Sequence, residues 1–445
     1  MKIGAVILAA GQGTRLNSSL PKVLHALNGK ALIDYSLSLV AEITGNLPVV
    51  VVGHLAAEVE KAIGNRAQCV LQEPQLGTGD AVRKAAPLLD GAADLVLVIY
   101  GDMPLLTSES LLRLVETQKN NSGPISMLTV ESNNPRGFGR VIRMADGTVK
   151  CIVEEAQATP EQLAVRELNV GTYCFDARWL WVALDRIPLS PKGEYYLTDA
   201  IGIAVSEGQR VQAICMEDER EAMGINTRIH LAEAEAVIRQ RINEKWMLAG
   251  VTIIDPAATY IEEGVQIGAD TVIFPNTFLR GKTVIGRNCR LGPGTIIADT
   301  RVGDGCTLLQ SVLEGAVLEN NVSMGPFGHL RKGAHLGEGV HLGNFGEVKD
   351  SYLGPGTKMG HFSYIGNATI GSDVNIGAGT ITCNYDGVRK NPTEIGDDAF
   401  IGSDTMLVAP VKIGKGAHTG TGAVVTHDVP PGDTVIGVPA RSIKK

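Results

Sequence analysis

Three short stretches in the first half of the chain place glycines, cations, a carboxylate and amides where they could act together. The run Leu8-Ala9-Ala10-Gly11-Gln12-Gly13-Thr14-Arg15-Leu16 is followed closely by Pro21-Lys22. Its glycines let backbone N–H groups approach a phosphate chain, while Arg15 and Lys22 can neutralise the charge. The run is not a Walker A sequence, which needs Gly-Lys-Ser/Thr, nor a full GxGxxG, because Leu16 holds the last position. Taken alone it reads equally well as a tight structural turn. The second stretch, Tyr100-Gly101-Asp102-Met103-Pro104, puts a carboxylate after an apolar run. Mg²⁺ takes one or two protein carboxylates and fills its other positions with phosphate and water, so Asp102 is a candidate ligand; an N-capping Asp is the plain alternative. Between the two lies Leu71-Gln72-Glu73-Pro74-Gln75-Leu76-Gly77-Thr78-Gly79-Asp80, whose amides and hydroxyl are able to read a base edge.

A second set lies further on. Arg331 and Lys349 each follow an apolar residue, Leu330 and Val348, and His361 sits in Gly360-His361-Phe362-Ser363-Tyr364. Two cations held close together disfavour each other unless an anion lies between them, and a small anionic ligand would serve. Histidine is a base of near-neutral pKa, so His361 could serve as a general base; by itself, a surface histidine is the plainer reading.

Two different kinds of element must position these sets. Over residues 1–226, apolar strands at 4–8, 48–52, 95–100 and 126–130 alternate with amphipathic helices near 32–41, 58–63, 80–89 and 109–118. That is the rhythm of a mostly parallel, doubly wound sheet, and such sheets bind ligands at the carboxyl ends of their strands. Residues 227–249 read as one helix with an apolar stripe at Leu231, Ala234, Ile238, Ile242, Trp246 and Ala249, ended by Gly250. From Val265 to Val425 an apolar residue recurs every sixth position, as at Ile267, Ile273, Leu279, Ile285, Leu291 and Ile297, then Leu330, Leu336, Leu342 and Val348, then Ile395, Ile401, Leu407 and Ile413. Neither helix nor ordinary sheet has that period; a parallel β-helix does. Three hexads close one coil of a triangular prism, so residues 18 apart lie above one another, about 4.8 Å apart. Roughly ten coils are expected. Arg331 then stacks over Lys349, with His361 a coil away. A polar stretch out of phase, residues 383–392, is expected to leave the prism and meet another surface.

Composition narrows the rest. A chain of 445 residues predicts two or three domains. Gly is abundant at 53 residues and aromatics are scarce at 4%, as a thin prism requires. A net charge of −8 without a basic run excludes a nucleic-acid footprint. The seven cysteines are scattered without CxxC spacing, which suits reduced thiols in a cytoplasm. The apolar run after Lys2 leads into Gly11-Gln12-Gly13 instead of a signal-peptidase site, and no run reaches membrane-spanning length.

The stretches LAAGQGTRL, LPKVLH, QLGTG, YGDMPLL, GFGR, IVEE, ELNVGTY, GEYYLTD and GIN, followed by the hexad array with its inserted loop, span almost the whole chain. With them the sequence resembles the sugar-1-phosphate nucleotidyltransferases, and more closely the bacterial bifunctional N-acetylglucosamine-1-phosphate uridyltransferase/glucosamine-1-phosphate N-acetyltransferases. That resemblance implies an α/β Rossmann-like nucleotidyltransferase domain at 1–226, a linker helix at 227–249 and a left-handed parallel β-helix acetyltransferase domain at 250–445, in a cytoplasmic homotrimer with no nucleic-acid or membrane partner. It implies that Leu8, Ala9, Ala10, Gly11, Gln72, Gly77, Thr78, Tyr100 and Gly101 hold the uridine nucleotide. Arg15 and Lys22 would face the phosphates of UTP, and Asp102 with Asn226 would bind Mg²⁺. Gly139, Glu154, Asn169, Tyr196 and Thr198 would hold N-acetylglucosamine 1-phosphate. In the second domain it implies Arg331, Lys349, Tyr364 and Asn375 for glucosamine 1-phosphate and His361 as general base. Ala378, Asn384, Tyr385, Ser403, Thr421 and Arg441 would lie around acetyl-CoA, Asn384 at the reacting centre.

Glu347 is expected to orient His361 from its place on the coil map. Near the C-terminus, Val438 stands where close relatives have an Arg, with Arg441 three residues on. Two rival functions remain open. His329, His335 and His341 invite comparison with hexapeptide-repeat zinc enzymes, but a spacing of six puts them on three different sides of the prism. A monofunctional nucleotidyltransferase with a purely structural β-helix would have no need of Arg331, Lys349, His361 and Asn384.

Overall fold

Ile3–Ala9, Val49–Val52 and Leu95–Tyr100 are apolar at almost every position, the mark of strands covered on both faces. They lie side by side in parallel in the computed structural model, which describes residues 1–443. Alternate residues feed two cores. Ile7, Val50 and Ile99 pack on one side of the sheet, and Val6, Val51 and Val98 on the other. Gln68–Leu71 extends one edge in parallel. On the other side Glu167–Asp176 runs antiparallel to both Leu95–Tyr100 and Ile125–Glu131, and Val211–Met216 closes the edge beside Ile125–Glu131. A hairpin of Arg140–Arg143 and Val149–Val153 branches from Glu167–Asp176.

All four predicted strands of this unit are present. The helix expected at 80–89 is two, Thr78–Lys84 and Ala86–Leu89, with Pro87 accepted in the first turn of the second. Because Leu8 pairs with Tyr100 and Ala9 with Val52, the loops leaving these strands emerge together.

The chain divides into two compact units, Met1–Val237 and Ile238–Lys445, the division falling inside the 21-residue helix Arg228–Leu248. Ala234, Ile238 and Ile242 of the predicted stripe are buried. So is Asn243, whose amide donates to Pro256 O at 2.8 Å and Thr259 O at 3.1 Å, fixing the end of the helix to the first coil.

The second unit is three stacks of short parallel strands, of 12, 10 and 9 members, the first ending in one antiparallel return strand. All fourteen hexad anchors named above are buried, at 8% exposure or less. The 18-residue spacing holds at Gln266–Val284 and His329–Glu347. It shortens where Val284 stands beside Arg301 and Ile296 beside Val312. The polar insertion lengthens one coil, so that Ala368 pairs with Thr393. All seven cysteines are free thiols.

Candidate functional site

A cavity of about 970 Å³ opens where the parallel strands of the first unit end. Leu8, Ala9, Ala10, Gly11, Lys22, Gln72, Gly77, Thr78, Tyr100 and Asp102, all singled out from sequence, line it. Gly77 has a backbone φ of +98°, and a Cβ there would lie 2.6 Å from Tyr195 O. Only glycine lets this wall approach so closely. Two expected residues stand back. Arg15 is exposed on the turn Thr14–Leu16, outside the cavity lining, and Gly101 leaves room for Ile33, whose Cδ1 would be 2.8 Å from a Cβ. Gln12, Asp80 and Glu194 escaped the sequence reading as site residues: the first and last line the cavity, and Asp80 stands beside Gln72.

The Lys22 ammonium is clasped by the Asp102 carboxylate and by Asn226 Oδ1, the latter at 2.6 Å. A backbone bond from Ile225 N to Asp102 O, 2.9 Å, holds the two loops together. Two oxygen donors that converge on one cation suit a divalent ion whose remaining positions go to phosphate and water.

A second cavity of about 320 Å³ adjoins the first, with Thr78, Tyr100, Asp102 and Tyr196 lining both. Gly139, Glu154, Asn169, Thr198 and Asn226 complete it, so the residues expected to hold the sugar phosphate are together. Burial pushes the Glu154 carboxyl above the usual range, and Thr198 Oγ1 donates to it at 3.1 Å. Burial, reinforced by the Asp102 and Glu154 carboxylates, also raises the Tyr100 phenol, which therefore stays neutral and able to donate. The Tyr100 ring passes over Gly171, where φ is +81° and a Cβ would lie 2.6 Å from Cε2.

In the second unit, the corner between the first and second stacks carries one expected residue per coil. Gly360-His361-Phe362, Gly377-Ala378-Gly379, Gly402-Ser403-Asp404 and Gly420-Thr421-Gly422 succeed one another there, linked by bonds such as Gly377 N to Ile401 O, 2.8 Å, and Gly402 N to Thr419 O, 3.1 Å. Below His361 this edge is bulky: Phe327 and Phe345 stack at 5.1 Å on the preceding coils. Above it the edge is lined by small side chains, which leaves a track for a thin ligand.

At the far end of the second face, Leu330 pairs with Val348, so Arg331 does stack on Lys349. The Lys349 ammonium is held below its ordinary pKa first by the Lys390 ammonium from the inserted loop and then by Arg331. Lys390 thus joins the cation group, a residue the sequence reading left unassigned. Lys349 pairs with Gly366 on the next coil. A Cβ on Gly366 would lie 2.3 Å from Tyr364 Oη and 2.8 Å from Asn384 Nδ2, which shows that these two groups meet above it. Asn384 is buried and donates to Asn367 Oδ1 at 2.7 Å. Asn375 lies on the neighbouring face, between Lys358 and Phe400.

The expected Glu347–His361 pair is not formed. Glu347 Oε1 accepts from Arg331 Nη1 at 3.0 Å, and its column partners are His329 and Tyr364. Coil register, not nearness in sequence, decides its neighbours. His329, His335 and His341 fall on three different stacks, each beside its own partner: Glu314 at 3.3 Å, Glu319 at 2.9 Å and Ser323 at 2.8 Å. Arg441 sits on the return strand opposite Ile436, and Val438 is 73% exposed. The inserted loop is braced by Asp386, which accepts from Val388 N, Arg389 N and Asn391 Nδ2 at 2.8–2.9 Å and whose pKa is lowered to about 2 by these bonds.

Residues 4–250 match the family described as Nucleotidyl transferase, and residues 264–299 and 392–427 match Bacterial transferase hexapeptide (six repeats), which fits a left-handed parallel β-helix. The chain is 46% identical over 442 residues to the bifunctional protein GlmU of Heliobacterium modesticaldum, covering 99% of this chain and 96% of that one. It is 45% identical over 446 residues to the bifunctional protein GlmU of Streptococcus equi subsp. zooepidemicus, with 100% and 97% covered. With the Exiguobacterium sibiricum protein of the same description the figures are 44% over 441 residues, 99% and 98%. Two transferase units, each carrying its own set of reactive side chains, and similarity of this extent end to end together place the chain in the GlmU family of bifunctional proteins.

Proposed function

We propose that the chain makes UDP-N-acetylglucosamine in two steps, acetylating glucosamine 1-phosphate with acetyl-CoA in the second unit and uridylylating the product with UTP in the first. The observation that carries this reading is the presence of two separate groups of polar side chains, one around the paired cavities and one along the prism.

In the first unit, a phosphate oxygen of N-acetylglucosamine 1-phosphate attacks the α-phosphorus of UTP. The new P–O bond forms as the α–β bridge breaks, and pyrophosphate leaves. No protein nucleophile is required; positioning and charge neutralisation supply most of the rate. Gln72 and Thr78 hold the base end, and Glu154, Asn169 and Thr198 hold the sugar. Asp102 and Asn226 are the residues that would hold Mg²⁺, which neutralises the phosphates and orients them. Lys22, which those two oxygens clasp, would turn onto the phosphate chain, joined at the mouth by Arg15.

In the second unit, Arg331, Lys349 and Lys390 receive the phosphate of glucosamine 1-phosphate, which relieves their mutual repulsion. Tyr364, Asn375 and Asn384 position the sugar and the thioester. His361 accepts the proton as the amine attacks the acetyl carbonyl; the C–N bond forms, the C–S bond breaks and the coenzyme thiol leaves. The coenzyme follows the narrow edge past Ala378, Ser403 and Thr421 toward Tyr385 of the loop and Arg441 at the last coil.

A homotrimer completes this second site. Its residues occupy a corner and the two faces beside it, which is convex, whereas ligands are held in concave sites. The loop at 383–392 exposes Tyr385 and Val388, at 62% and 88%, as a partner-facing element would. A cytoplasmic location suits the free thiols, and among the described residues no helix is long and apolar enough to cross a membrane. A monofunctional enzyme would leave the Arg331, Lys349, Tyr364 and Asn384 group without purpose. The test is a product assay with glucosamine 1-phosphate, acetyl-CoA, UTP and Mg²⁺, omitting one at a time. Acetylated sugar phosphate should form without UTP, and nucleotide sugar only with every component; absence of acetylated product in all mixtures would leave only the nucleotidyltransferase.

A further inference from the structure

Gln72 and Asp80 are 4% and 5% exposed beside the first cavity. Gln72 commits both amide hydrogens within the chain: Nε2 donates to Gly77 O at 2.9 Å and to Asp80 Oδ2 at 2.9 Å. An ionised carboxylate and a backbone carbonyl only accept, so turning the amide over would set oxygen against oxygen. Among the described residues the Gln72 amide oxygen has no hydrogen-bond partner, and it is not sealed off from solvent. Gln72 therefore shows the cavity it lines a hydrogen-bond acceptor.

Asp80 has no ion-pair partner among the described residues, and its side chain's bond is the one to Gln72. A buried carboxylate without a cation is costly, but charge-assisted hydrogen bonds are strong and directional. We propose that Asp80 is a positioning residue for base choice: by locking the Gln72 amide with its oxygen toward the cavity, it selects a base that offers an N–H at its recognition edge. The inference rests on Gln72 being the base contact. Uracil offers N3–H between two carbonyls, whereas cytosine offers the N3 lone pair, which an amide oxygen repels. Asp80 also lies in the first turn of Thr78–Lys84, where a carboxylate favours the helix; a purely structural role of that kind would cost stability without altering base choice.

The experiment compares kcat/KM for UTP and CTP in the full chain and in Asp80→Asn, Asp80→Ser and Gln72→Ala, with N-acetylglucosamine 1-phosphate as acceptor. Asn and Ser can each donate to Gln72, so one of the two acceptors that hold the amide is removed and only Gly77 O still opposes its turning. The UTP-to-CTP ratio should fall at least fivefold in both Asp80 variants, while KM for the sugar phosphate, which reports an intact unit, stays within twofold. A smaller fall in variants that keep that KM overturns the proposal. Loss of discrimination in Gln72→Ala alone would limit the failure to Asp80, and unchanged discrimination in all three would overturn the base contact as well.

Discussion

The two units present their reactive groups in opposite ways. In the first, loops from several strand ends fold over a concavity, and Asp102 and Asn226 already converge on a single cation. In the second, His361, Tyr364 and Lys349 are displayed on the outside of a prism, ordered along its edges but open to solvent on one side. A twisted sheet gathers distant loops into a pocket by topology, whereas a β-helix converts sequence spacing into rows and encloses nothing outside itself. On the proposed reading the first arrangement works within one chain and the second takes its facing wall from a neighbouring subunit.

The sharpest way to break that contrast is to disable one site at a time. His361→Ala should lower acetyl transfer by a factor on the order of 10²–10⁴ and leave uridylyl transfer within twofold, and Asp102→Ala should do the reverse. Parallel loss of both activities in a folded protein would sink the separation. Dilution is the next test. Acetyl transfer per chain should decline, roughly tenfold or more, once a trimer seen by light scattering dissociates, while uridylyl transfer per chain holds constant.

Loosening the inserted loop should have an intermediate effect. Asp386→Ala removes the three bonds that brace it and is expected to lower acetyl transfer about tenfold without touching the other reaction. The sign of its titration matters here. A depressed pKa means that these bonds are intact above the ordinary carboxylate range and are lost only as pH falls through about 2. A loss of acetyl transfer measured at pH 4–5 would therefore have another source.

Smaller effects come from groups with shifted titration. Burial raises Glu154, so its ionised, accepting form fades at a higher pH than an exposed carboxylate would. KM for N-acetylglucosamine 1-phosphate should rise several-fold as pH falls toward that raised value, and Glu154→Gln should flatten the profile. The slightest change is expected from Lys390→Ala: a few-fold rise in KM for glucosamine 1-phosphate, with weaker dependence on salt. An unchanged KM in that variant would remove Lys390 from the cation group.

Much of this was legible in sequence because it follows from spacing. The hexad anchors define the prism, and the stacking of Arg331 on Lys349 needed only the count between them. The strands at 167–176 and 211–216 were missed since their burial depends on neighbours distant in the chain. The hairpin at 140–153 carried a local signal, Asp146-Gly147 between two apolar runs, that went unused. Lys390 and Asp80 acquire roles only through what the fold sets beside them, and the coil map misplaced Glu347 because it does not separate a residue within a face, where Glu347 stands beside Tyr364, from one at the corner, where His361 lies.

The uneven coils have a consequence of their own. Neighbouring coils differ by one or two residues around Val284–Arg301 and Ile296–Val312, and by seven more at the insertion, yet every anchor still points to the axis. The prism keeps count of sides, not of residues, so length changes are absorbed at corners without disturbing what stands above or below. A scaffold of this kind can gain a loop at one vertex while the rest of its surface stays aligned, which makes the corners the natural places for new recognition elements to be grafted or old ones exchanged.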